Sequence, residues 1–199
     1  MSASNAPSVA ARVLTVADVD GSSLTNMQLQ KLVFLVQSCQ LSEHAAPAFH
    51  EDVQAWQHGP VVGSVYRTYK FFGDDPIEAI DHGQASSHKV PARTLDAVEK
   101  VWDLFGGMTG SELRRLTHDR GPWQAHYRDD RKSIVLPRHE IGEAWSSYTS
   151  VGRRRKDNQA KRGQLAEALH PPIGAAWQTG HLTGAVSPFR LSRPTRNGG

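Results

Sequence analysis

Over the first 150 residues, apolar side chains recur at intervals of three and four rather than in the alternation of a half-buried strand. Val9, Val13 and Val16 line one face of a first predicted helix, with Ser8 as its expected cap. Gly21 and Ser22 break the pattern. A stronger helix starts after Thr25, three residues ahead of Gln28, so each of these side chains can satisfy a backbone N–H at the helix start. Leu24 and Leu29 flank that box as a hydrophobic staple. The face that follows is Leu29, Leu32, Val33 and Val36, with Leu35 and Cys39 alongside. Full burial of each Leu or Val contributes roughly 1.5–3 kcal/mol, so this helix is expected at the centre of the fold.

Residues 49–58 show no clean period and read as a loop with a short extended or helical piece. Gly59-Pro60 predicts a third helix, with Pro60 at the first helical position, where a missing N–H costs nothing. Val62, Val65, Tyr66 and Tyr69 would line its face, Gly73 would cap it in a left-handed conformation, and Pro76 would prevent continuation. Residues 77–91 read as a loop with a brief strand at Ile77–Ile80. A fourth helix is predicted over Ala92–Phe105, with Leu95, Val98, Trp102 and Phe105 inward and Gly106-Gly107 as its stop. Thr109 and Glu112 repeat the capping box, and that helix runs to His118. Gly121-Pro122 restarts the chain as a helical turn carrying Trp123 and Tyr127. Ser133–Leu136 reads as a brief strand, and Pro137 precedes a last helix with Ile141, Ala144, Trp145 and Tyr148 inward. Six or seven short helices, with one or two very short strands at most, predict an all-α domain.

Charge divides the chain. Residues 1–150 hold 14 basic and 18 acidic side chains, whereas residues 151–199 hold nine basic and two acidic ones. The later segment is also punctuated by Pro171, Pro172, Pro188 and Pro194. The expected organisation is a folded domain over 1–150 and a basic, weakly structured, Pro/Gly-rich extension over 151–199. Its cluster Arg153, Arg154, Arg155 and Lys156 could contact phosphates; a solvated tail explains it equally well.

The candidate chemistry is sparse. One cysteine, Cys39, excludes an intramolecular disulfide and fits a reducing compartment. No apolar run is long enough for a membrane helix, and Arg12 interrupts the one stretch that could serve as a signal peptide. A soluble, cytoplasmic protein is therefore expected, with no membrane partner. Phosphate-loop, dinucleotide, nucleophile-elbow and zinc-protease motifs are missing. None of the ten histidines pairs with another at i+3 or i+4, so no metal site is expected. Cys39 sits on an apolar helix and reads as a small core hydrophobe. Asp74-Asp75 and Asp129-Asp130 read as turn residues. Glu112–Leu116 followed by Pro122–His126 is too short for a helix-turn-helix. His118 beside Asp119 is the one pair worth weighing as an enzymatic centre; no catalytic residue, cofactor or small-molecule substrate is expected.

Three stretches together resemble the Panacea domain, the SocA-like antitoxin domain of bacterial and phage toxin–antitoxin loci. They are Leu24-Thr25-Asn26-Met27-Gln28-Leu29-Gln30-Lys31-Leu32, then Ala55-Trp56-Gln57-His58-Gly59-Pro60-Val61-Val62 with Val65-Tyr66 and Tyr69-Lys70, then Glu112-Leu113-Arg114-Arg115-Leu116-Thr117-His118 with Pro122-Trp123. The resemblance covers about residues 8 to 148. Val33-Phe34 stands where the family more often shows Leu and Tyr, and the segment after Gly152 lies outside the shared domain. The resemblance implies a mainly helical antitoxin that neutralises a cognate toxin encoded nearby by direct binding. Partner toxins of the family are chemically diverse, some resembling alarmone synthetases that modify tRNA, and one member is an adaptor that delivers its toxin to a protease. Trp56, His58, Arg114, Arg115, His118 and Trp123 are the expected partner-binding residues. Packing explains the two tryptophans as well, and loop-tying hydrogen bonds explain the two histidines. Tyr66 and Tyr69 are expected in the core. The alternatives are a nucleic-acid-binding regulator acting through Arg153, Arg154, Arg155 and Lys156, or a protease adaptor for the toxin.

Overall fold

The computed structural model describes residues 4–77, 89–131 and 133–169. They form helices α1 (Ala6–Val19), α2 (Asn26–His44), α3 (Gly63–Tyr69), α4 (Ala92–Phe105), α5 (Gly110–Asp119), α6 (Pro122–His126), α7 (Arg138–Glu143) and α8 (Trp145–Leu169). Three short strands, β1 (Val53–Trp56), β2 (Gly59–Val62) and β3 (Ile134–Val135), join in the order β2-β1-β3, antiparallel throughout. The architecture is mainly helical, as expected, with a small sheet added. Two compact units emerge, residues 1–159 and 160–199. Of the second, residues 160–169 are described, and they are helical.

α2 is central. Every residue from Leu29 to Gln40 is buried, so the helix is wrapped on all sides. Its apolar residues pack against α1, α4 and α7. Its buried polar residues bond to backbone groups that the neighbouring segments leave open. Gln30 Oε1 accepts from the Val62 N–H at 3.0 Å. Gln37 accepts from Ala48 at 2.8 Å and donates to the Phe49 carbonyl at 3.1 Å. Ser38 donates to Ile141 and Gln40 to Arg93, each at 2.6 Å. These polar side chains thus fasten the connecting loops to the helix that the apolar pattern places at the core.

Both capping boxes form as expected. Thr25 and Gln28 exchange bonds at the start of α2, and Thr109 and Glu112 at the start of α5. The Thr109 backbone bond is the main influence holding the Glu112 carboxyl below its ordinary range. Thr109→Ala is expected to lower stability by about 1 kcal/mol, read as a lower urea midpoint with an unchanged slope.

Several expectations are corrected. α1 is capped by Asn5, whose side chain accepts from the Ser8 N–H at 2.8 Å. Ser8 itself is a buried helical residue, and Pro7, which has no N–H to satisfy, is accommodated in the first turn. The short piece expected within residues 49–58 is extended and forms β1, whereas Gly59-Pro60 opens β2 rather than a helix. Pro60 fits there because β2 lies at the sheet edge and its missing N–H breaks no ladder bond. α3 consequently starts at Gly63. Val65 and Tyr69, four apart, take its inward face, leaving Tyr66 36% exposed rather than in the core. In α4, Thr94, Ala97, Val98, Val101, Leu104 and Phe105 are buried, which turns Leu95 and Trp102 to the half-buried flank. The last expected helix divides into α7 and α8 near Ala144. α8 continues past the boundary expected at residue 150, with Gly152 packed against Leu104 and Phe105. Of the brief strand expected at Ile77–Ile80, residues 78–80 lie outside the described residues. Residues 170–199 of the expected extension do so as well.

Candidate functional site

The turn of the β1–β2 hairpin, Gln57-His58, is held between α2, α5 and α6. Gly59, directly after it, adopts φ +106°. A Cβ there would lie 2.8 Å from Lys31 Nζ and 3.1 Å from His118 Nε2. The absence of a side chain therefore lets a lysine of α2 and a histidine of α5 close over the hairpin. Lys31 is 1% exposed, and its ammonium donates to the Pro60 carbonyl at 3.0 Å. Burial, with a smaller contribution from Arg114, lowers its pKa to about 7. No ion pair joins Lys31 to a carboxylate among the described residues.

His118 accompanies it. Burial first, then the charges of Arg114 and Lys31, lower its pKa to about 4, against a bond to the His58 backbone and the charge of Asp119. The folded chain therefore keeps His118 neutral where the unfolded chain takes up a proton. Stability is expected to fall as pH drops from about 6.5 to about 4. Thermal unfolding followed across that range in wild type and His118→Gln should show a shallower decline in the variant.

An aromatic tier runs outward from His118. Its ring stacks on Trp123 with centroids 3.6 Å apart, and Trp123 stacks on Tyr127 at 4.6 Å. Trp123 Nε1 donates to the Trp56 carbonyl at 2.8 Å, latching α6 to the hairpin. Trp56 in turn meets Tyr66 edge-on at 5.0 Å. Four of the expected partner-binding residues, Trp56, His58, His118 and Trp123, are thereby gathered by a hairpin and two short helices. Arg114 is exposed, and its charge reaches both Lys31 and His118. Arg115 is exposed too, but it acts on Glu112, toward the start of α5.

The four basic residues of the alternative lie on α8. Arg155 bonds to the Gly107 carbonyl and approaches Glu112, while Lys156 pairs with Asp103. Those two are engaged with the α4–α5 corner, whereas Arg153 and Arg154 are exposed. Cys39 is buried, and burial together with the Glu43 charge pushes its thiol up to about 12, far from a nucleophile. No cluster of three or more His, Cys, Asp or Glu suited to a metal occurs among the described residues. No described helix is long and apolar enough to cross a membrane.

Sequence reasoning overlooked the floor of this region. A cleft of about 350 Å³ is lined by Asn26, Gln30 and Lys31 of α2, with Trp56 and Tyr66 also in its wall. The signal was present as Gln30-Lys31 between Leu29 and the apolar run that starts at Leu32, beginning four residues after Asn26. Read along one helix, that pair looks like the polar face of an amphipathic element.

Residues 29–124 match the family described as Antitoxin SocA-like, Panacea domain, a narrower span than the 8–148 expected from the motifs. Antitoxin SocA of Caulobacter vibrioides (strain NA1000 / CB15N) is 30% identical over 109 residues, which cover 50% of this chain and 58% of that relative. No solved structure matches.

Proposed function

We propose, from the match of residues 29–124 to the antitoxin SocA-like Panacea family, that this chain neutralises a toxin encoded beside it by binding it directly. The observation that supports the reading is the surface around the hairpin turn. Trp56, Tyr66 and Trp123 stay partly exposed while being locked by stacking and by the Trp123–Trp56 bond. Rigid aromatic anchors beside basic side chains are what a tight protein interface uses, because little side-chain freedom is lost on binding. Neutralisation by occlusion needs no reactive centre, and neutral His118 wedged against Trp123 serves as a strut.

Co-expression with the product of the adjacent gene tests the reading. Growth is expected to be restored and the two proteins to co-purify. Tyr66→Ala and Arg114→Glu, both at exposed positions, should weaken rescue without lowering the melting temperature. Full rescue with no complex in solution would count decisively against direct binding. The nucleic-acid alternative has less support, since Arg155 and Lys156 are already engaged within the first unit.

A further inference from the structure

We propose that the cleft between α2 and the β1–β2 hairpin is an anchor pocket for one acidic side chain of the partner polypeptide, whose carboxylate would be met by Gln30 and Lys31. The inference rests on the direct-binding reading and specifies its chemistry.

Three buried groups in this region are incompletely satisfied. Gln30 is 3% exposed. Its Oε1 is fixed as acceptor by the Val62 N–H, so its other terminus must be the NH₂ group. That nitrogen is buried and has no partner. Asn26, one helical turn earlier on the same face, has a buried Oδ1 without a partner; its amide can be rotated to present either end. Lys31 has three donors and one bonded acceptor. Unsatisfied groups of this kind are costly in a finished core, and all three residues line one cleft.

The surrounding charges define the guest. Lys31 and Lys70 line the cleft against a single acid, Asp74, and His58 stands at the turn. Arg114 and His118 are near enough to Lys31 to interact with it, and Asp119 acts on His118. The balance favours an anion. Trp56 and Tyr66 form an apolar wall suited to the methylenes of Asp or Glu, and the partner's backbone would remain outside. A carboxylate entering here would accept from Gln30 Nε2 and Lys31 Nζ and supply the counter-charge that α2 lacks.

The test is a double-mutant cycle on the purified complex with the adjacent gene's product. Lys31→Met and, at the exposed rim, Lys70→Glu are each paired with single Asp→Asn and Glu→Gln exchanges across the partner. Lys31→Met is expected to weaken binding about thirtyfold, and one partner exchange should cost a similar factor. Combining those two should cost little more than either alone. Lys70→Glu should weaken binding less, while leaving the melting temperature unchanged. Dissociation constants within twofold of wild type for both variants would overturn the anchor while leaving direct binding intact. So would losses that simply multiply with every partner exchange. A wild-type chain that forms no complex would overturn both proposals.

Discussion

Gly121→Ala is expected to lower the unfolding free energy by about 4 kcal/mol, a large part of the roughly 5–15 kcal/mol typical of a domain. Two costs combine. Gly121 has φ +107° and ψ −167°, a region essentially restricted to glycine, where an L residue costs about 1–3 kcal/mol. A Cβ would also stand 2.0 Å from the Tyr148 hydroxyl and 3.0 Å from the ring carbon that bears it. Tyr148 is 0% exposed and packs edge-on against Phe34 at 6.0 Å, so the ring cannot swing aside. Forcing it adds roughly 1–3 kcal/mol of overpacking. Chemical denaturation separates the two. Tyr148→Phe alone should be nearly neutral, because it removes a buried hydroxyl without a partner. The double variant Gly121→Ala/Tyr148→Phe should recover the steric part and keep the backbone part. Equal losses in the single and double variants would show that the contact is unimportant.

Between pH 7 and 9, stability is expected to rise by about 2 kcal/mol, somewhat less than the about 1.4 kcal/mol per pH unit of a full proton, because at pH 7 the folded chain has released only half of it. Lys31 has a folded pKa of about 7, against 10.5 for a lysine in water. Below pH 7 the ammonium is charged in both states, and its burial cost is fully present. As pH rises toward 10.5 the folded chain has released a proton that the unfolded chain still holds, so the equilibrium moves toward the fold. Above about pH 9 other groups oppose this rise. Burial raises Cys39 from 9.0 to about 12 and also raises Tyr148. The unfolded chain then gains by ionising these groups while the folded chain keeps them neutral. A maximum near pH 9 follows. Lys31→Met should flatten the rising limb and leave the fall above pH 9. A wild-type chain with level stability from pH 7 to 9 would show that Lys31 stays charged in the fold.

These two positions share a design. At Gly59 and Gly121, each with φ near +107°, a missing Cβ admits a side chain from a distant helix: Lys31 and His118 in one case, Tyr148 in the other. The region that gathers Trp56, His118 and Trp123 is thus built on two glycines that no neighbouring residue can replace. That rigidity suits a surface whose proposed work is to hold a partner.

The capping boxes at Thr25 and Thr109, the apolar run of α2, the extent of α4 and the stop at Gly106-Gly107 were readable from the chain alone. Each is decided within about one helical turn, by side chains that satisfy or fill what lies next to them. The family resemblance was readable for the same reason, since its motifs are local strings. The hairpin was not. Gly59-Pro60 serves a helix start and an edge strand equally well, and pairing with residues 53–56 decides between them. Nor could the chain show that Gln30, Lys31, Gln37 and Gln40 would be buried. Their partners are backbone groups 11 to 53 residues away, available only once loops have been laid across α2. The sequence by itself determined most of the helices and which of them is central. The tertiary structure alone decided which polar side chains turn inward and where they converge, because those outcomes depend on contacts between segments that have no fixed distance until the chain has folded.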